Sequence, residues 1–139
     1  MAFLQKSVAV ATRRMPKMIS PRGHAVADYV NVGVFFVMGA LFWRRNPRAA
    51  AAAFAAGLAE ASTSLMTDYP GGVANIIDFP THRTLDAGLA ALTFALPNVM
   101  TFSDTPESRY FRLMGLNLTA VTELTDFEQR EVVTRRKAA

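Results

Sequence analysis

The sequence predicts an all-α protein, a four-helix transmembrane bundle built from two tandem helical hairpins that repeat with a period of 58 residues. Three observations lead to this prediction. Four apolar segments have nearly the length of about 20 residues that crosses a bilayer. Helix-start signals, a capping side chain followed by proline, punctuate the chain. His and Asp recur four residues apart, at His24 and again at His82.

The apolar segments carry almost no charge, whereas the chain between and around them is rich in Lys and Arg. The segments run over 25–43, 49–66, 85–102 and 110–124. The first and third are apolar around most of their circumference, which a small water-soluble bundle has no means to hide. The fourth contains Arg112, Asn117 and Glu123 and is the weakest candidate. A soluble four-helix bundle is the alternative interpretation.

Helix boundaries are indicated by short capping motifs. Ser20-Pro21, Asn46-Pro47 and Thr105-Pro106 each place a capping side chain before a proline at the first helical position. Thr81, after Pro80, is expected to cap the third helix. No run of strict polar and apolar alternation is long enough to predict a strand.

An internal repeat appears when the chain is shifted by 58 residues without a gap. The repeat units are residues 24–69 and 82–127, and each begins with H-x-x-x-D and ends with T-D-aromatic. The shift pairs His24 with His82, Asp28 with Asp86, and Asp68 with Asp126. Because each unit holds two helices, both units insert in the same orientation, related by an axis along the membrane normal.

This topology places both chain termini on one side of the membrane. That side collects ten of the 15 Lys and Arg residues. The positive-inside rule then predicts a multi-pass protein of the cell (inner) membrane with cytoplasmic termini. The expected organisation is a basic interfacial segment over 1–19, the four-helix membrane domain over 20–128 and a basic tail over 129–139. Membrane lipid is the expected partner, and other membrane protein subunits are further candidate partners.

The same topology gathers polar side chains at the cytoplasmic face. A charged side chain that faces lipid costs several kcal/mol, so these residues are expected to turn inward and to form a ligand-binding or ion-binding site. The candidate residues are His24, Asp28, His82, Asp86, Asp68, Asp126 and Glu60.

Three interpretations of these residues stay open. They tie helix ends together as a structural latch, or they form a site for a proton, a cation or a small polar ligand. The third is a divalent metal such as zinc, manganese or iron, the only cofactor that the residues imply. The E-x-x-H pattern of di-iron bundles is absent.

Other functional classes lack their sequence signals. The chain has no cysteine, no G-x-S-x-G and no phosphate-binding glycine loop, which argues against an enzyme. Its positive charge flanks apolar segments and forms no patch interleaved with exposed aromatics, so nucleic-acid binding is not expected. A small transporter, channel or sensor component is therefore weighed against a structural subunit of a larger membrane complex.

Three stretches, "HAVADY", "SLMTDYPGGVANIIDFPTHRTLDAGLAA" and "TELTDFE", carry a family resemblance. Together they resemble small bacterial four-helix membrane proteins of the SPW-repeat kind. The resemblance covers roughly residues 20–128. It implies the fold and the membrane location, and it lends neither an activity nor established site residues.

Overall fold

The computed structural model describes residues 15–128, and this part of the chain is all-helical. Four helices follow one another: α1 (Pro21–Phe42), α2 (Pro47–Met66), α3 (Phe79–Val99) and α4 (Ser108–Leu124). Within 15–128 the only β pairing is two isolated bridges, Ile19 with Thr125 and Thr67 with Ile77. The prediction of an all-α chain with four helices is confirmed. The tail over 129–139 and most of the N-terminal segment over 1–19 lie outside the described residues.

The first two helices begin at their predicted caps. The Ser20 hydroxyl accepts a hydrogen bond from the backbone N–H of Gly23, and the Asn46 side chain accepts one from the N–H of Ala49. These bonds satisfy backbone donors that have no partner within the first helical turn.

The last two helices begin elsewhere than predicted. Asp78, not Thr81, caps α3, because its carboxylate accepts the N–H of Thr81 at 2.7 Å. This bond lowers the pKa of Asp78. The predicted Thr105 cap of α4 is wrong as well: its hydroxyl donates to the carbonyl of Phe102, and the helix begins at Ser108.

The helices pack as two antiparallel pairs. α1 packs chiefly on α2 and α3 chiefly on α4, while α2 and α3 form a smaller contact. Glycines allow the close approach in each pair. A Cβ on Gly57 would lie 2.8 Å from the Cβ of Phe35, and a Cβ on Gly115 would lie 2.8 Å from that of Phe94.

The bundle has a buried apolar core, which includes Phe35, Phe102 and Phe111, and it also buries polar side chains and exposes apolar ones. Buried positions include His24, Asp28, Asn31, Glu60, Ser64, His82, Asp86 and Thr93. Apolar side chains lie on the outside of all four helices, among them Val26, Val30, Val37, Leu41, Leu58, Leu92, Val99, Leu113 and Leu116. Two helices, α1 and α2, are long and apolar enough to cross a membrane by length and composition. The sequence predicted four such segments.

Candidate metal centre

Four ionisable side chains meet between the first turns of α1 and α3. His24 and Asp28 lie four residues apart on α1, and His82 and Asp86 lie four residues apart on α3, so each pair occupies one helix face. Both histidines are fully buried, and the aspartates expose 3% and 8% of their surface. The convergence of these four residues follows from two helices presenting the same motif to each other.

The two histidine Nε2 atoms lie within 3.4 Å of both carboxylates and of each other. The Nε2 atom of His24 lies 2.9 Å from an Asp86 carboxylate oxygen and 3.4 Å from one of Asp28. The Nε2 atom of His82 lies 3.2 Å from Asp28 and 3.1 Å from Asp86. The two Nε2 atoms are themselves 3.2 Å apart. One atom from each of the four residues lies within 4.8 Å of the other three.

Two threonines fix the orientation of the imidazole rings. The Nδ1 atom of His24 lies 2.8 Å from the Thr125 hydroxyl, and that of His82 lies 2.7 Å from the Thr67 hydroxyl. Each hydroxyl already donates its single proton to the carbonyl four residues earlier on its own helix, at 2.6 Å. Each threonine oxygen therefore accepts a hydrogen bond from the Nδ1–H group. In the neutral ring this leaves Nε2 unprotonated, with its lone pair directed at the centre of the cluster.

The resulting arrangement matches the ligand set of a tetrahedral metal ion. Metal–nitrogen and metal–oxygen distances of 2.0–2.2 Å correspond to ligand atoms about 3.3–3.6 Å apart in a tetrahedron. The nitrogen–oxygen separations are 2.9–3.4 Å, with the two histidines facing different Asp28 oxygens, and the full set of four ligand atoms fits within 4.8 Å, so a metal ion would require a small adjustment of the carboxylates. Two carboxylates and two neutral imidazoles carry a net charge of −2, which one divalent cation neutralises. Histidine and carboxylate ligands suit zinc among the common divalent metals.

Protons are the other means of stabilising the cluster. Two imidazolium rings would form crossed ion pairs, from His24 to Asp86 and from His82 to Asp28, and would act as a latch. This arrangement brings two positively charged N–H groups to 3.2 Å from each other. Like charges at this distance repel strongly in a buried site. The divalent cation satisfies all four groups without this repulsion.

Asp28 has further partners outside the cluster. One of its carboxylate oxygens accepts hydrogen bonds from the Tyr69 hydroxyl at 2.8 Å and from the Ser64 hydroxyl at 3.4 Å. Burial and the charge of Asp28 raise the pKa of Tyr69, so its hydroxyl stays protonated and donates. Such outer contacts orient metal-binding carboxylates.

An aromatic lid closes the cluster toward the nearby end of the bundle. It consists of Tyr69, Phe79 and Phe127, all buried, together with Ala25. Phe79 and Phe127 pack with ring centroids 4.5 Å apart, and both rings stand edge-on to His24 at 5.6 and 5.2 Å. The lid separates the four clustered side chains from solvent.

The three remaining predicted site residues lie outside the four-residue cluster. Asp68 is exposed and its backbone N–H donates to the carbonyl of Ile77. Asp126 is half-buried and accepts the backbone N–H of Glu128. Glu60 is buried deeper in the bundle, next to the Asn31 side chain. Sequence reasoning therefore identified the four central residues and placed two aspartates too close to them.

Sequence reasoning missed Thr67, Thr125 and Tyr69 as parts of the site. A signal for the threonines exists, because each immediately precedes one of the repeated aspartates and Thr67 lies on the same helical stripe as Glu60. The signal for Tyr69 is weaker, because the second repeat has Phe127 at the equivalent position. No protein-family model, curated protein or solved structure matches the chain.

Proposed function

We propose that the chain is a small integral membrane protein that binds one divalent metal ion, with zinc as the best-fitting ion, between its two helical hairpins. The observation that carries the proposal is the meeting of four potential ligand atoms, His24 and His82 Nε2 and one oxygen each of Asp28 and Asp86, within 4.8 Å of one another. The bound ion would also act as the latch, because it holds helices of the two hairpins together.

The distribution of ligands supports a clamping role. Each helical hairpin supplies one His and one Asp, so neither hairpin completes the site without the other. The threonine contacts run crosswise: Thr125 at the end of the second hairpin orients His24, and Thr67 at the end of the first orients His82. Four protein ligands leave no coordination position open, which is typical of structural rather than catalytic metal sites. Metal binding and assembly of the two hairpins are thus one event.

Membrane insertion is supported by the apolar residues on the outside of the bundle and by the ionisable residues buried beside its apolar core. A water-soluble monomer seldom exposes large contiguous apolar surface, yet all four helices present Val, Leu or Phe outward while His, Asp and Glu are buried. A lipid bilayer accounts for both features, because it covers the apolar surface and makes it costly for ionisable residues to face outward. The two-hairpin repeat, the resemblance to SPW-repeat proteins and cytoplasmic termini belong to the same proposal.

Elemental analysis of the detergent-purified protein tests the metal. The full chain, loaded with zinc and then dialysed, is expected to retain one ion per chain. The double variant His24→Gln/His82→Gln is expected to retain none, and the control Asp104→Asn, which alters an exposed aspartate, is expected to retain one. A wild-type protein that retains no metal after loading with zinc, manganese, iron or cobalt contradicts the proposal and leaves the protonated latch.

Cysteine labelling tests the membrane topology, since the chain has no native cysteine. Ser20→Cys and Asp104→Cys place single thiols at opposite ends of the bundle. In intact cells, a membrane-impermeant thiol reagent is expected to label Asp104→Cys and to reach Ser20→Cys only after the membrane is opened. The reverse pattern contradicts cytoplasmic termini, and recovery of the protein in the soluble fraction contradicts insertion.

A further inference from the structure

Five buried side-chain atoms have no hydrogen-bond partner among residues 15–128. One, a carboxylate oxygen of Glu123, lies 3.7 Å from the Arg83 guanidinium. The other four are the amide nitrogen of Asn31, one carboxyl oxygen of Glu60, and the hydroxyl oxygens of Thr93 and Tyr110. The Asn31, Glu60 and Thr93 side chains expose 6% or less of their surface. Unpartnered buried polar atoms are rare in native proteins and require an explanation.

These atoms come from four different helices and continue the polar stripe of the metal cluster. Asn31 lies three residues beyond Asp28, ~4.5 Å deeper, and Thr93 lies seven residues beyond Asp86, ~10.5 Å deeper. Glu60 lies one turn from Ser64, which bonds Asp28. Glu60 interacts electrostatically with Asp28, and Tyr110 with Glu60. Asn31 and Glu60 also interact with each other. Asn31, Glu60 and Tyr110 are therefore linked, and Thr93 continues the face of α3 that carries Asp86, so we call the four side chains the polar column.

The mixture of donors and acceptors identifies the ligand class. The Asn31 nitrogen can only donate, a carboxyl oxygen accepts, and the two hydroxyls do both. A metal cation would be repelled by the amide donor, and the carboxyl oxygen lone pairs disfavour an anion. Water both donates and accepts, and it makes two to four hydrogen bonds in such buried sites. We propose that Asn31, Glu60, Thr93 and Tyr110 bind a buried water cluster that extends from the metal site into the membrane-spanning core.

The column is not a by-product of the duplication that accounts for the metal cluster. A shift of 58 residues pairs Glu60 with Leu118, Asn31 with Leu89 and Thr93 with Phe35. The equivalent positions of the other repeat unit are therefore apolar. The proposed water site depends on buried atoms from all four helices, and it does not require that a metal be bound.

Water-edited solid-state NMR of the full chain in lipid bilayers tests the proposal, because it measures magnetisation transfer from water to individual side chains. Thr93 is expected to receive magnetisation about as fast as exposed Thr84 and several-fold faster than Thr122. Thr122 is a matched control: it is 2% exposed, and its hydroxyl donates to the carbonyl of Leu118. Transfer to Thr93 that is as slow as transfer to Thr122 overturns the proposal.

Two substitutions of Glu60 test its role in binding the water cluster. Glu60→Gln retains hydrogen-bonding atoms for water and is expected to keep fast transfer to Thr93, whereas Glu60→Leu is expected to slow it several-fold. Unchanged transfer in Glu60→Leu contradicts the role of Glu60. If Glu60→Leu does not fold, the comparison of Thr93 with Thr122 in the native chain decides alone. Repeating the measurement after chelation separates this proposal from the metal site, because fast transfer to Thr93 is expected with or without metal.

Discussion

The Nε2 atoms of His24 and His82 face each other at 3.2 Å in the buried centre of the bundle, each with its Nδ1 atom against a threonine hydroxyl. This relationship links two residues that are 58 positions apart and belong to different hairpins. In the proposed metal site both rings are neutral, which requires a cation between their two lone pairs; without metal, a proton on one Nε2 would form a hydrogen bond to the other. The predictions below follow from that requirement.

Cobalt is expected to report the geometry of the site directly. If His24, His82, Asp28 and Asp86 form a four-coordinate site, the Co(II)-loaded protein should show the intense visible absorption of tetrahedral cobalt. Zinc should displace the cobalt and abolish the band. A weak spectrum typical of octahedral cobalt would show that water completes the coordination, in conflict with a closed structural site.

Removing the threonine hydroxyls should weaken metal binding without removing a ligand. Thr67→Val and Thr125→Val leave the Nδ1 atoms of His82 and His24 without their acceptors, so the rings lose their fixed tautomer and orientation. We expect each substitution to lower zinc affinity about 10- to 100-fold. Competition with a chromophoric chelator measures this change. Thr→Ser at either position, which restores the hydroxyl, should restore most of the affinity; equal losses in the Val and Ser variants would contradict the tautomer argument.

The Tyr69 hydroxyl is expected to matter more than the Tyr69 ring. Tyr69→Phe keeps the aromatic lid, and Phe occupies the equivalent position 127, but the substitution removes the 2.8 Å bond to Asp28. A buried hydrogen bond to a charged group contributes about 1.5–3 kcal/mol. The binding free energy of zinc, or the free energy of unfolding, should therefore decrease in magnitude by that amount.

Tyr29→Phe is the matched control for this substitution. The Tyr29 hydroxyl donates to the backbone carbonyl of Gly71 at the partly exposed surface, and the bond does not involve the cluster. Titration of both variants with zinc should show a loss only for Tyr69→Phe. An equal loss in the two variants would show that the effect comes from the loop around Gly71 and not from the hydrogen bond to Asp28.

Gly115 is expected to tolerate no side chain where α3 and α4 touch. A Cβ at this position would lie 2.8 Å from the Cβ of Phe94 and 2.9 Å from the backbone oxygen of Ala90. Gly115→Ala should therefore destabilise the protein by about 1–3 kcal/mol, the usual cost of overpacking. Thermal unfolding in detergent measures the difference.

Gly33 and Gly88 provide the control for Gly115. A Cβ at either position meets nothing within 4 Å. Gly33→Ala and Gly88→Ala should leave stability unchanged or raise it by up to about 1 kcal/mol, because alanine favours helix. Destabilisation by all three substitutions would show that helix–helix contact at Gly115 is not the cause.

Helix number, the position of the first two caps and the four clustered residues were all predictable from the sequence. Local chemistry determines these features: Ser20 and Asn46 each precede a proline, and a spacing of four residues places His24 and Asp28 on one helix face wherever that helix packs. The start of α3 was less predictable, because Asp78 and Thr81 both have side chains that cap helices and only the backbone geometry selects between them.

Tertiary structure decided which member of each repeated Thr-Asp pair contacts a histidine. The chain leaves helical geometry at Thr67 and Thr125, with ψ near 140° at both residues, and this extended backbone turns the threonine inward and the next residue away. The inner column of Asn31, Glu60 and Thr93 likewise depends on how the helices are rotated against each other. Periodicity along one helix assigns a residue to a face, whereas the atoms that meet across helices are set by packing between segments far apart in the chain.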